Sequence, residues 1–487
     1  MNSSLIHPSK RSPVRRLTAV GTLLAGLVIS TIFHQPIVRA KEVSESSDSG
    51  IPERISEKLG GETTIYDRTR HAFSRPIPDI LPAHRTEFFV GNSFFNHNWV
   101  TAPASTEARD GLGPLYNVRS CSGCHFKDGR SRPPEPGSPM TTMLLRISIP
   151  GIGPHGAPIP HPVYGDQIQG RAVLGVPPEA DVIVSYQSQS GTFPDGTPYT
   201  LRQPEYSLEN PGYGAFTEPL LTSPRVAPIM IGLGLLESVP ESLLAKNADP
   251  EDSDEDGISG RMNRVWDIRK QQMSFGRFGW KSEQPTVEQQ VAGALAGDIG
   301  ITSSLVTREN HMMSQETCLD QPSGGSPEIS DRLFQAIVSY SKTLAVPSQR
   351  NAGDPEIQRG WSLFLNTGCA DCHLPALRTG TSRGFPELSN QIIHPFTDLL
   401  LHDMGEGLAD HRPTFEASGK EWRTPPLWGI GLIQTVNGHS FLLHDGRAEN
   451  LIQAILWHGG EAQSSRDQFM AQNRTDRNAL IKFLKSL

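Results

Sequence analysis

The chain contains the same pentapeptide pattern twice, as CSGCH at residues 121–125 and as CADCH at residues 369–373. Each copy has two cysteines separated by two residues and a histidine directly after the second cysteine. The two copies use four of the five cysteines in 487 residues, namely Cys121, Cys124, Cys369 and Cys372. Because the pattern is the same, both copies are expected to adopt one local geometry and to serve one chemistry.

Three kinds of site use cysteines at this spacing. Disulfide or thioredoxin-like chemistry needs only the thiols, and zinc would need four ligands to converge from pairs that lie 248 residues apart. Haem c attachment also explains the histidine, because the thiols bond the haem vinyl groups and the imidazole binds the iron. We therefore predict two covalently bound haem c groups, with His125 and His373 as proximal iron ligands. Cys318 is then unpaired, and we expect it to be a small buried residue.

The composition narrows the classes of partner and fold. Hydrophobic residues make up 36% of the chain and charged residues 20%, as in soluble globular proteins. The net charge of -8 argues against a nucleic-acid partner. The 46 glycines and 40 prolines predict many loops and leave limited room for long helices.

The first 40 residues have the pattern of a secretory signal peptide. A basic segment ends at Arg16, an apolar segment follows at residues 17–33, and Ala40 is a small residue suited to cleavage. An uncleaved anchor is the alternative, although this apolar segment is short for a membrane span. We expect residues 1–40 to be removed, the chain to be exported to the periplasm, and the mature chain to have no transmembrane segment.

Further repeats flank the two pentapeptides in the same order. GNSFF (91–95) and GWSLF (360–364) precede them, and PIMIGLGLLESV (228–239) and PPLWGIGLIQTV (425–436) follow them. A repeated order of this kind predicts a duplicated structural unit.

We therefore expect a mainly α fold with two cytochrome c-like haem lobes, residues 41–326 and 327–487. An apolar stripe at helical spacing predicts a helix over residues 326–344, which would open the second lobe. The first lobe is enlarged by loop-rich insertions. In residues 181–208, β-forming residues alternate around a Pro-Asp-Gly turn and predict a small β-hairpin.

An acidic segment in the first lobe has the pattern of a metal-binding loop. DSDEDG places Asp252, Asp254 and Asp256 at alternating positions before a glycine. Carboxylates at this spacing can converge on Ca²⁺, with the carbonyl of Ile258 as a further ligand. The twelfth loop position is Asn263 and not the bidentate glutamate of an EF-hand. We favour a structural calcium site over a solvated acidic loop.

Several longer segments resemble the di-haem oxidoreductases, a family also called thiol oxidoreductases and related to the di-haem cytochrome c peroxidases. These segments are NVRSCSGCHFKDGR, SPRVAPIMIGLGLLE, DSDEDGISGR, FGRFGWK, LLLHDMGEGLAD and LLHDGRAENLIQAILWHGGEA. The resemblance covers residues 55–487. It implies two mostly helical cytochrome c-like lobes, a haem in each and often calcium between them, and it leaves the substrate open.

The resemblance also suggests a distal ligand for the second haem. In the peroxidase relatives, that ligand lies fourteen residues after the histidine of an HDG-like motif. Here the motif begins at His444, and the residue at that distance is His458, where the relatives have methionine or tyrosine. Met404 is the competing ligand, with His402 two residues before it.

The first haem is expected to have an open distal face. The nearest equivalent segment, PESLLAKN (240–247), offers no ligand, and the relatives carry out chemistry at this haem. Glu237 is the candidate base for peroxide chemistry, with an ion-pair role as the alternative. Trp280 is the candidate electron relay, with a core role as the alternative. Other histidines are open as sixth ligands of the first haem: His71, His97, His155 and His161.

Together these expectations predict a peroxidase-like oxidoreductase. Electrons from a small redox protein or a quinol-linked donor would enter at the second haem and reach an oxidant such as hydrogen peroxide at the first. In the opposite direction, the first haem would oxidise a substrate. The alternative is a pure electron-transfer cytochrome with both irons six-coordinate. Thiol oxidation by cysteine is disfavoured, because haem attachment leaves only Cys318.

Overall fold

The computed structural model describes residues 56–487, so the predicted signal peptide at residues 1–40 lies outside the described residues. Within this part of the chain, no helix is long and apolar enough to cross a membrane. Most helices are short. In chain order they are α1 (Pro82–Asn96), α2 (Leu233–Glu237), α3 (Glu241–Asn247), α4 (Val287–Ala294), α5 (Glu316–Leu319), α6 (Asp331–Thr343), α7 (Pro355–Asn366), α8 (Cys369–Cys372), α9 (Ile433–Asn437), α10 (Leu451–Leu456), α11 (Gln463–Ala471) and α12 (Arg474–Ser486).

The strands of residues 56–487 form small antiparallel ribbons of two strands each. In chain order the strands are β1 (Leu115–Tyr116), β2 (Met143–Ser148), β3 (Arg171–Ala172), β4 (Asp181–Thr192), β5 (Pro198–Glu209), β6 (Leu221–Val226), β7 (Arg264–Asp267), β8 (Gln272–Phe275), β9 (Leu377–Arg378), β10 (Ile392–Ile393), β11 (Leu401–Asp403) and β12 (Glu421–Arg423). The pairs are β1–β3, β2–β6, β4–β5, β7–β8, β9–β10 and β11–β12.

The prediction of a mainly α fold is wrong, because the structure is 30% helix and 17% strand. The frequent prolines and glycines end helices early, since proline lacks the backbone donor and glycine loses more conformational entropy in a helix. The long connections between helices then satisfy part of their backbone hydrogen-bonding groups by pairing as ribbons. The expectation of a loop-rich chain agrees with the structure.

The largest ribbon is the hairpin of β4 and β5, in the segment where alternation predicted one. The strands pair in register from Asp181 opposite Glu209 to Thr192 opposite Pro198. Asp195 stabilises the turn, because its Oδ1 accepts a hydrogen bond from the backbone N–H of Thr197 at 3.0 Å. This local interaction is one that a sequence pattern can report directly.

Two pairs of helices cross at glycines. α1 meets α6 at Gly91, where an added Cβ would overlap the carbonyl oxygen of Ala336, and α7 meets α12 at Gly360, where it would overlap that of Ala479. Only glycine allows backbones to approach this closely. The repeated glycine before each pentapeptide therefore marks a repeated helix crossing. α6, which we assigned to the second lobe, packs on α1 of the first, and the lobe boundary at 326–327 stays a prediction.

Each pentapeptide folds as a single tight turn. The backbone N–H of His125 donates to the carbonyl of Cys121 at 2.9 Å, and that of His373 donates to the carbonyl of Cys369 at 3.0 Å. The first turn is a 3₁₀ helix at Cys121–Gly123, and the second is α8. Both copies therefore hold their histidine at the same place relative to their first cysteine.

Candidate functional site

Both pentapeptides open on one internal cavity of about 380 Å³. The cavity brings together residues that lie 248 positions apart in the chain. Its lining includes all six residues predicted to hold haem: Cys121, Cys124, His125, Cys369, Cys372 and His373. The tertiary structure thus joins the two motifs into a single candidate site.

The two pentapeptide histidines have the same hydrogen-bonding arrangement. The Nδ1 of His125 lies 2.8 Å from the carbonyl oxygen of Pro228, and that of His373 lies 2.9 Å from the carbonyl oxygen of Phe396. A carbonyl can only accept, so Nδ1 carries the proton and Nε2 keeps its lone pair. Metal-binding histidines are usually oriented by such a second hydrogen bond.

Burial keeps both of these imidazoles neutral. It lowers the pKa of His125 to about 4, although the hydrogen bond to Pro228 opposes the shift. It also lowers the pKa of His373 to about 4, and the hydrogen bond to Phe396 again opposes the shift. Neutral imidazole is the form that binds iron. The geometry and the protonation state of both residues therefore suit axial ligation.

His458 repeats this arrangement on the second side of the cavity. Its Nδ1 lies 2.8 Å from the carbonyl oxygen of Ala454, which leaves Nε2 unprotonated, and burial lowers its pKa. A positive charge on His458 would lower the pKa of His373, so the two imidazoles lie near each other. Met404 also lines the cavity. Both candidates for the distal ligand are thus present, and the choice between them stays a prediction.

His402, two residues before Met404, has a different role. Its Nε2 lies 2.8 Å from Asp398 and its Nδ1 lies 2.6 Å from Glu461. Burial opposes protonation, but the two carboxylates raise the pKa of His402 well above its ordinary value. A protonated imidazole with both nitrogens hydrogen-bonded is not available to bind a metal. His402 is therefore a buried cation, and its Nδ1 lies 3.7 Å from the Cys372 thiol.

The cavity wall carries arginines that the sequence analysis did not single out. Burial lowers the pKa of Arg130 to about 9 and that of Arg423 to about 10, which indicates that nearby carboxylates do not fully compensate them. Arg225 forms an ion pair with Glu283, yet its Nη2 is buried without a hydrogen-bond partner. The arginines that line the cavity are Arg130, Arg146, Arg225, Arg423 and Arg466.

These observations test whether haem suits the cavity. A haem presents apolar faces, an iron that takes imidazole, two vinyl groups that take thiols and two propionate carboxylates. The cavity wall is predominantly apolar and offers paired thiols, neutral imidazoles and incompletely paired arginines. Buried guanidinium groups are stabilised by carboxylates that enter with a cofactor. The residues present therefore fit two haem groups.

The two remaining candidates from the sequence lie in different places. Trp280 is buried, lines the cavity together with both pentapeptides, and donates from Nε1 to the carbonyl of Val226 at 2.9 Å. Glu237 is not among the residues that line the cavity. It forms an ion pair with Lys342 at 2.6 Å and accepts from the backbone N–H of Val287 at 2.7 Å. This placement favours the ion-pair alternative for Glu237.

Asp298 is a cavity carboxyl that the sequence analysis missed. It lies in a π-helical turn at Leu295–Ile299, directly after α4. Burial raises its pKa, although Arg146 and a hydrogen bond from Gln167 at 3.0 Å oppose the shift. Burial raises the pKa of the Cys121 and Cys124 thiols, and the charge of Asp298 raises it further, as expected of a group near the first pentapeptide.

The acidic loop lies beside the cavity. One carboxylate oxygen from each of Asp252, Asp254 and Asp256 lies within 4.8 Å of the others, so these side chains converge as predicted from their spacing. Ile258 follows them and lines the cavity. Calcium at this loop stays a prediction.

The first-haem histidines considered in the sequence lie outside the cavity. His71, His97 and His155 are exposed, and His161 is buried elsewhere. His97 contacts the carbonyl of Ser93 in its own helix. The ring of His155 stacks on Trp266 at 3.6 Å. None of the four is among the residues that line the cavity, and their role as ligands of the first haem stays a prediction.

Comparison with known proteins assigns the chain to a family. Residues 55–487 match the family described as "Di-haem oxidoreductase, putative peroxidase". A cytochrome c551 peroxidase of Nitrosomonas europaea is 25% identical over 227 residues, which cover 44% of this chain and 62% of that protein.

Among solved structures, a MauG-like protein associated with microbial copper homeostasis is 15% identical. The match covers 56% of this chain and 95% of that one, with a TM-score of 0.26, which is too low to support any argument. The family match spans all of the described residues, and both pentapeptides fall within it. This chain therefore belongs to the di-haem oxidoreductase family, whose cofactors are two haems.

Proposed function

We propose that the chain is an exported di-haem c-type cytochrome that acts as a peroxidase-like oxidoreductase. Electrons enter at the second haem site, at His373, and an oxidant such as hydrogen peroxide reacts at the first, at His125. The observation that carries this proposal is the single cavity lined by both pentapeptides, because the residues that would hold the two irons share it. The family and the similarity to a cytochrome c peroxidase support peroxide as the oxidant.

We propose that both haems are attached covalently. Cys121 and Cys124 bond one haem, and Cys369 and Cys372 bond the other. At each thioether a sulfur–carbon bond forms, and the thiol hydrogen passes to the neighbouring vinyl carbon. All four thiols are free in the structure, and each lines the cavity.

The second site is proposed to transfer electrons. His373 and His458 would bind its iron from opposite faces, with Met404 as the alternative distal ligand. An iron with two protein ligands has no position for an oxidant and is suited to electron transfer. Its electrons come from a small redox protein or a quinol-linked donor. Trp280 is the proposed relay, because its indole lies in the wall of the cavity that both sites share.

The first site is proposed to carry out the chemistry. When bound, a haem with one protein ligand supplies an iron that can bind and reduce peroxide. Asp298 contributes proton transfer, because a buried carboxyl with a raised pKa can hold a proton and move it between peroxide oxygens. Gln167 fixes the orientation of this carboxyl. Asp298 takes this role in place of Glu237, which does not line the cavity.

A pure electron carrier is the second candidate, and one observation favours it. His444 lines the cavity, and its Nε2 is buried without a hydrogen-bond partner. Its Nδ1 lies 3.1 Å from the carbonyl of Pro224, so Nε2 carries the lone pair. If His444 bound the first iron, both sites would be closed to peroxide.

Two further parts of the proposal concern location and calcium. The signal pattern of residues 1–40 supports export to the periplasm. The convergence of Asp252, Asp254 and Asp256, together with the carbonyl of Ile258, supports a structural calcium ion. Calorimetric titration with Ca²⁺ tests the calcium site, and Asp254→Asn should abolish the binding heat.

The test of the function is electron paramagnetic resonance of the ferric, haem-loaded protein. We expect one high-spin and one low-spin component, and we expect only the high-spin component to change on addition of peroxide. Denaturing electrophoresis with haem staining tests covalent attachment on the same sample. Two low-spin components that ignore peroxide, in the fully oxidised and half-reduced protein alike, would establish the electron carrier instead.

A further inference from the structure

The cavity is lined by two short helices that are structural counterparts. α4 begins after Thr286, whose hydroxyl accepts from the backbone N–H of Gln289 at 3.1 Å. α10 begins after Asn450, whose side-chain oxygen accepts from the backbone N–H of Gln453 at 3.0 Å. Such N-caps define where a helix starts. The two starts are therefore equivalent positions, 164 residues apart in the chain.

The helices also present equivalent faces to the cavity. On each one, the first residue and the residues three and four positions later line it, which is one face of an α-helix: Val287, Gln290 and Val291 on α4, and Leu451, Ala454 and Ile455 on α10. The residue seven positions after the first also lines the cavity in both cases. It is Ala294, the last residue of α4, and His458, two residues after the end of α10. Each lining residue of α4 thus has a lining counterpart 164 residues later.

The segments before these helices are joined across the cavity in a reciprocal manner. The backbone N–H of Arg423 donates to the carbonyl of Trp280 at 2.9 Å. The backbone N–H of Val226 donates to the carbonyl of His444 at 2.7 Å. Trp280 and His444 are again 164 residues apart. Arg423 and Val226 occupy matching positions in the repeat PIMIGLGLL and PPLWGIGLI, each two residues before its first proline. The duplicated segments therefore face each other with approximate two-fold symmetry.

We propose that Ala294 determines which haem reacts with the oxidant, because it occupies at the first site the position that His458 occupies at the second. The methyl group of alanine cannot bind iron, so the first iron would keep a coordination position free for an oxidant. At the second site, the imidazole of His458 would occupy the corresponding position. His444 is the counterpart of Trp280 in this repeat, so it does not take the position equivalent to that of His458. This inference rests on the proposed function and on His458 as an iron ligand.

The direct test is Ala294→His in the haem-loaded protein, observed by paramagnetic resonance and by cyanide binding. We expect the high-spin component of the wild-type protein to be replaced by a second low-spin component, and we expect cyanide binding at the first iron to be lost. Gly293→His is the matched control, because residue 293 is adjacent in α4 but is not among the residues that line the cavity. It should keep the high-spin component.

Two further variants keep the proposal falsifiable. If Ala294→His does not load haem, Ala294→Met offers a thioether ligand at the same position and should also give a second low-spin component. His458→Ala should open the second iron, so that both components become high-spin and two cyanide ions bind. A haem-loaded Ala294→His or Ala294→Met protein with an unchanged high-spin component overturns this inference alone. A wild-type protein without any high-spin component overturns the proposed function itself.

Discussion

Replacing Gly360 with alanine should destabilise the protein by about 1–2 kcal/mol, although alanine is the better helix former. Within α7, alanine gains about 1 kcal/mol over glycine in helix propensity. The same methyl group would overlap the carbonyl oxygen of Ala479 and would lie 2.7 Å from the Cβ of Phe483. Both atoms belong to α12, so relief requires a shift of the helix backbone. Overpacking of this kind costs about 1–3 kcal/mol, and a backbone shift places the cost at the upper end.

Gly293→Ala is the matched control for this prediction. Residue 293 is also inside a helix, but an added Cβ would meet only the side-chain nitrogen of Gln284, at 3.8 Å. This is an ordinary van der Waals contact, so the propensity gain should remain and stabilise the protein by about 0.5–1 kcal/mol. The assay is urea unfolding of the haem-loaded proteins followed by tryptophan fluorescence, compared at constant slope.

Gly91→Ala tests the same reasoning at the crossing of α1 and α6. There the added Cβ would overlap the carbonyl oxygen of Ala336 and would lie 2.6 Å from the Cβ of Tyr340. The loss should therefore be similar to that at Gly360. If Gly91→Ala and Gly360→Ala had the same free energy of unfolding in urea as Gly293→Ala, the helix crossings would not require glycine for close approach of the backbones. The argument from the repeated glycine would then fail.

Three further predictions concern charged groups. Asp298→Asn should lower the turnover of peroxide by about 10²–10⁴-fold, measured at steady state, with an unchanged haem spectrum as the control. Arg225→Met removes the ion-pair partner of the buried Glu283 and should lower the free energy of unfolding in urea by about 3–5 kcal/mol. The double variant Arg225→Met with Glu283→Gln should recover part of this loss, because the unpaired charge is also removed. Burial raises the pKa of Glu179 from 4.5 to about 8, so the folded protein keeps a proton that the unfolded chain releases. The protonated carboxyl therefore contributes fully to the free energy of unfolding below pH 4.5, and this contribution is lost as the pH rises to about 8. In urea unfolding across this pH range, the Glu179→Gln protein should lack the corresponding decline in the free energy of unfolding.

The sequence located those features of the site that depend on local chemistry. Two cysteines and a histidine within five residues specify one turn, and the structure gives His125 and His373 the same backbone hydrogen bond to their first cysteine. The spacing of Asp252, Asp254 and Asp256 likewise predicted the convergence of their carboxylates, because a short loop limits how far apart they can lie. Such features need no information from the rest of the chain.

Sequence reasoning could not choose between alternatives where orientation depends on packing between distant segments. Glu237 follows a repeated motif and was a candidate base with an ion-pair role as the alternative. The structure pairs its carboxylate with Lys342 and leaves it outside the residues that line the cavity. Asp298 lies in a π-helical turn, and its carboxylate is held by a hydrogen bond from the side chain of Gln167. No local pattern marks such a residue, because its neighbours in space are more than a hundred positions away in the chain.

The fold class was mispredicted for a related reason. The apolar stripes of α6 and α12 identify helices, but they do not reveal how much of the intervening chain pairs as ribbons, since ribbon partners such as β2 and β6 are distant in sequence. The same distance conceals the correspondence between α4 and α10, which have few residues in common.

From the sequence alone we predicted the haem chemistry, His125 and His373 as iron ligands, and the duplication, because each prediction depends on residue types and spacings within short segments. Only the tertiary structure decided that both pentapeptides share one cavity and which carboxyl groups line it. These properties arise from the packing of segments hundreds of residues apart, and no local spacing encodes that packing.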